Sequence, residues 1–149
     1  MFWIILVFIF LIYLSWKQIK NGPKIAKFIY GWGFPLGSFV WEDLLVFSIY
    51  GSIAALITLL SHQPKIGILM VLVFWFIRSL GETLYFFLEQ FIQPQHYPHR
   101  LENHFQLLYF FFGKISDQQA FIILQVFFQI ISMFSLTGLI LLIINWSSF

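Results

Sequence analysis

The chain has 149 residues, of which 60% are hydrophobic, 22% aromatic and 9% charged, with a formal net charge of +2 and no cysteine. Soluble domains carry about 25% charged residues, so this composition excludes a water-soluble globule, and 21 Phe exclude a disordered chain. The missing cysteines exclude disulfides, thiolate metal sites and a cysteine nucleophile. What is left is an all-α, polytopic membrane protein, a single integral membrane domain over residues 1–149.

The first apolar segment, residues 2–16, is short against the roughly 20 helical residues that cross a hydrocarbon core of about 30 Å. Trp3 and Trp16 would sit at the two interfaces. Met1 is followed directly by Phe2 and Trp3, whereas Lys17, Lys20, Lys24 and Lys27 come after the segment. A cleavable signal has the opposite order, so the expectation is a retained span with a translocated N-terminus. Asn21-Gly22-Pro23 then breaks the helix.

The second span is expected over residues 38–60, with Ser38 as N-cap and Glu42 and Asp43 in the first turns, where negative charge complements the helix dipole. Within it, Ser48 with Ser52 and Gly51 with Ala55 are small-residue pairs suited to close helix contact. Ser61-His62-Gln63-Pro64-Lys65 is a short link that turns the chain directly into a third span, residues 66–91. Residues 98–113 read as an interfacial helix on the cytoplasmic leaflet, with Leu101, Phe105, Leu108 and Phe112 at helical spacing. Ser116 and Gln119 form a capping-box pattern that opens the fourth span, residues 119–146.

Six basic residues, Lys17, Lys20, Lys24, Lys27, Arg100 and Lys114, fall in the first and third connections, against Lys65 alone in the second. The positive-inside rule therefore places both termini on the non-cytoplasmic side of a four-helix antiparallel bundle.

Polar groups inside spans are costly and each demands a reason. Arg78, Glu82, Tyr85 and Glu89 share one face of the third span; Gln125 and Gln129 belong to a stripe on the fourth. At 1.5 Å per residue, Arg78 lies about 18 Å and Glu82 about 24 Å below Ile66, while Gln125 and Gln129 lie about 9 Å and 15 Å from Gln119. The two stripes fall at matching depths, and Glu42, Asp43 and Glu89 gather near the cytoplasmic interface. One reading is a buried network of Glu42, Asp43, Arg78, Glu82, Tyr85, Glu89, Gln125 and Gln129 that fixes helix register. The same residues would also suit a ligand site.

His96, His99 and His104 are the remaining chemical candidates. Their spacing matches neither the zinc-protease His pair around a Glu nor a di-iron Glu-x-x-His pair, so they are weak metal ligands. Neither the double-Glu motif of intramembrane prenyl-protein proteases nor the His boxes of desaturases is found. No cofactor motif is recognised, and the lysine run is too modest for nucleic acid.

Two functions are consistent with this pattern. The first is an accessory or oligomer-forming subunit, partnered by membrane lipid and by other membrane-protein chains or copies of itself. The second is a membrane-embedded enzyme acting on a lipid or isoprenoid-like substrate at the cytoplasmic leaflet, using Glu82, Glu89, His99 or His104 as acid, base or proton carrier and Arg78 as an anion holder.

Overall fold

The computed structural model describes residues 2–21, 41–91 and 106–146. All regular structure in them is helical: α1 (Phe2–Asn21), α2 (Trp41–Ser61), α3 (Pro64–Glu89), α4 (Gln106–Phe112) and α5 (Asp117–Ile144). Four of these, α1, α2, α3 and α5, are long and apolar enough to cross a membrane.

Helix α1 runs 20 residues, past the expected boundary at Trp16. Lys17, Gln18, Ile19 and Lys20 are compatible with a helix, and no breaker intervenes before Gly22. The Lys20 ammonium stands 5.0 Å from the centre of the Trp16 ring, so its charge lies over the indole while its stem follows the helix. The segment thereby reaches about 30 Å, a full hydrocarbon thickness.

Between α2 and α3 the chain reverses in two residues. His62 adopts the left-handed conformation (φ 52°), Gln63 is extended, and Pro64 enters the first turn of α3, where its lack of an N–H costs nothing. The start of α5 is closed by the capping box anticipated from sequence. Ser116 Oγ accepts from the Gln119 N–H at 3.2 Å, and Gln119 Oε1 accepts from the Ser116 N–H at 2.9 Å.

Contacts link the long helices in the series α1–α2–α3–α5, most extensively between α3 and α5. Ser15 meets Ser48, and a Cβ placed on Gly51 would come within 2.9 Å of Leu11. Gly67 meets Thr58, and Phe47 meets Phe74. Lys65 meets Trp146, and Gly138 meets Leu72. The small residues of α2 are thus used against α1, where a larger side chain would hold the backbones apart.

The apolar core lies where α3 ends and α5 begins. Phe86, Ala120, Phe121, Leu124 and Phe128 pack together, with Leu108 of α4 inserted among them. Phe86 and Phe128 stack with centroids 5.8 Å apart and planes at 10°. Elsewhere the distribution of a water-soluble domain is inverted. Ser48 and Ser79 are fully buried and Glu82 and Glu89 nearly so, while large apolar residues such as Phe110, Trp3 and Phe134 are exposed.

Candidate functional site

The central polar group is built from α2 and α3. Asp43 lies in the first turn of α2, and Arg78 and Glu82 are one turn apart on α3. A single guanidinium nitrogen, Arg78 Nη2, lies 2.8 Å from Asp43 Oδ1 and 2.5 Å from Glu82 Oε1. The short reversal at His62 and Gln63 sets the two helices side by side: counted outward from it, Asp43 falls about 27 Å and Arg78 about 21 Å away, and the long arginine side chain spans the difference. The Arg78–Glu82 pairing is the one expected from their i,i+4 spacing. Asp43 belongs to the network expected from sequence, but its direct pairing with Arg78 across the two helices is a finding of the structure.

The side chains of Arg78 and Asp43 keep 28% and 19% of their surface, and that of Glu82 only 9%. Glu82 is therefore the most enclosed member, and the Arg78 guanidinium lies at contact distance from its carboxyl group. Chemically, the arrangement holds two helices in register through a charge-assisted contact.

A second polar link joins α3 to α5. Gln90 Nε2 donates to Gln125 Oε1 at 2.5 Å and to the Phe86 carbonyl at 3.1 Å. A third joins α1 to α2, where Ser15 Oγ donates to Ser48 Oγ at 2.9 Å. Around these, Ser79 and Thr83 return their hydroxyls to the carbonyls one turn back, at Trp75 and Ser79 respectively. Such back-bonding satisfies a hydroxyl without a partner helix.

The expected network is thus only partly assembled in one place. Asp43, Arg78 and Glu82 come together. Gln125 takes Gln90 as partner rather than the charged group. Glu89 is buried at 7% exposure near the end of α3, separate from the Arg78 contacts. Tyr85 is half exposed and leans edge-on against Phe86, with centroids 5.2 Å apart.

Gln129 is exposed, although its depth was expected to bring it to Arg78. The reason is rotational: Phe121, Leu124, Phe128 and Ser135 occupy the face of α5 turned to α3. Gln129, one residue beyond Phe128, is rotated about 100° from that seam.

Glu42 lies within α2, but its side chain is outside the described residues, as are His96, His99 and His104. Among the described residues no three His, Asp or Glu side chains converge on a metal-sized site.

Two features were not singled out from sequence. Gln18 of α1 is buried at 3% exposure, and its Nε2 has no hydrogen-bond partner among the described residues. In the sequence it lies between Lys17 and Lys20, whose charge masks a buried helical position; its spacing of three from Ser15 is the available signal. An apolar groove of about 520 Å³ also lies between α1, α2 and α3, bordered by Trp3, Val7, Ala55, Val71 and Trp75.

No protein-family model matches this sequence, and no curated protein or solved structure is detectably similar to it.

Proposed function

We propose that this chain is a small four-span integral membrane protein acting as an accessory or oligomer-forming subunit, with its intramembrane polar groups committed to helix association. The observation that carries the reading is the use of Arg78, the most costly group in the spans, between Asp43 of α2 and Glu82 of α3. The Gln90–Gln125 and Ser15–Ser48 contacts serve the same end at the other two helix pairings. The inverted burial pattern supports a lipid surround, since lipid tails solvate exposed Phe and Leu while polar groups turn inward.

In this reading the helices form an antiparallel bundle with both termini on the non-cytoplasmic side, as the distribution of lysines and arginines indicates. Helix α4 lies at the cytoplasmic interface. Leu108 anchors it on the α3–α5 core, while Phe110, Phe111 and Phe112 turn to the lipid next to Lys114.

One observation keeps the enzyme reading as the alternative. A carboxyl group, that of Glu89, is buried immediately before the segment that carries His96, His99 and His104. Glu82→Gln and Glu89→Gln in the full chain, reconstituted in lipid, separate the two. Weakened folding or assembly with both variants supports the subunit. Intact assembly accompanied by lost turnover of a lipid or isoprenoid substrate would replace it with the enzyme.

A further inference from the structure

The outward face of α5 carries a regular pattern of residues that stay exposed among the described residues. Ile122, Val126, Gln129, Met133, Leu136 and Ile140 follow one another at alternating spacings of four and three, and all six are exposed. That alternation averages 3.5 residues, the repeat of a left-handed helix pair. The seam is distinct from the one that α5 turns to α3, which runs through Phe121, Leu124 and Phe128.

Gln129 is the one polar member of the seam, and it sits at the seam's centre. Helix α5 is 28 residues long, about 42 Å, and Gln129 is about 18 Å from its start. Centred on a hydrocarbon core of about 30 Å, the helix places this residue within a few ångströms of the mid-plane. Its carboxamide has no hydrogen-bond partner among the described residues, and lipid tails offer none.

We infer that this seam is the surface through which two copies of the chain associate, with Gln129 hydrogen-bonded to Gln129 of the second copy. The inference rests on the oligomer-forming reading above and specifies its partner and its surface. A second copy is the occupant that the geometry selects. Copies inserted in the same orientation hold Gln129 at the same depth automatically. A carboxamide both donates and accepts, so two of them are complementary without any further group. The apolar positions then meet in identical register, as they do in a parallel pair, and the single polar residue fixes that register.

The chain has no cysteine, so any single-cysteine variant reports on one position. The full chain in lipid vesicles is oxidised after Val126→Cys, Met133→Cys, Leu136→Cys or Ile140→Cys, with Phe127→Cys and Phe134→Cys, exposed but turned away from the seam, as controls. Disulfide-linked dimers are expected at the four seam positions and not at the controls. In parallel, Gln129→Leu should lower the dimer association constant, measured by energy transfer between labelled copies, roughly 3- to 20-fold. Gln129→Asn should restore part of it.

Dimers that cross-link without preference for the seam, or a Gln129→Leu variant that associates as tightly as wild type, would refute this surface while leaving self-association intact. The same seam cysteines, oxidised in the membrane of the expressing cell, would refute the choice of partner if they capture a different protein and never a second copy. A chain that shows no energy transfer above random encounter at any protein-to-lipid ratio would overturn the inference. If such a chain also binds no other protein, the subunit reading falls with it.

Discussion

Replacing Arg78 by methionine tests the energetic role of the central polar group. In α3, 26 residues long or about 39 Å, Arg78 lies about 16 Å from the Glu89 end, hence roughly 12 Å inside a 30 Å hydrocarbon core. Methionine keeps much of the apolar stem but removes the guanidinium, leaving the Asp43 and Glu82 carboxylates without their shared contact. Removing one partner of a fully buried ion pair costs about 3–5 kcal/mol. The 28% of the Arg78 side chain that protein leaves accessible faces the bilayer core at this depth and gains no water there, so the loss is expected at about 3–5 kcal/mol.

The diagnostic part is the rescue. Adding Asp43→Asn and Glu82→Gln to Arg78→Met removes the stranded charges and should recover most of that loss, since replacing a whole buried charged group by neutral isosteres is often nearly neutral. Reversible unfolding in lipid bicelles, followed by fluorescence of the six tryptophans, provides the stability of each variant. An Arg78→Met chain as stable as wild type, or a triple variant no better than the single one, would refute the assignment of Arg78 to helix association.

Gly67→Ala should destabilise the α2–α3 hairpin by about 1–3 kcal/mol, because the new Cβ would lie 2.7 Å from Thr58 Oγ1, while Gly81→Ala, with nothing within 4 Å, should be neutral or mildly stabilising; the same unfolding assay reads both. Ser116→Ala removes the α5 cap and should cost about 0.5–2 kcal/mol, with faster amide exchange confined to the first turn of α5. A double-mutant cycle of Gln90→Leu and Gln125→Leu should give a coupling of about 0.6–2 kcal/mol between α3 and α5, and a coupling near zero would remove that hydrogen bond from the account.

The sequence announces the helices more clearly than their rotation. The four long apolar runs, the Ser116–Gln119 box and the Arg78–Glu82 spacing are local, so each can be read from residues within one or two turns. Asp43 requires a register across the His62–Gln63 reversal, a longer-range relation that depends on where the helices begin to pair. Gln125 and Gln129 show the limit most directly. One turn apart on the same helix and at suitable depths, they diverge because the bulky Phe121–Leu124–Phe128 seam determines which side of α5 meets α3. One glutamine reaches Gln90 at the seam's edge and the other is left outside. Gln18 was obscured for a different reason: lysines on both sides made a helical, buried position resemble a polar connection.

The central claim, that this chain works as a subunit rather than alone, is tested most directly by the mass of the wild-type particle extracted from its membrane with native lipid retained. A particle containing at least two protein chains is expected, and a single 149-residue chain with no other protein bound would contradict a subunit role.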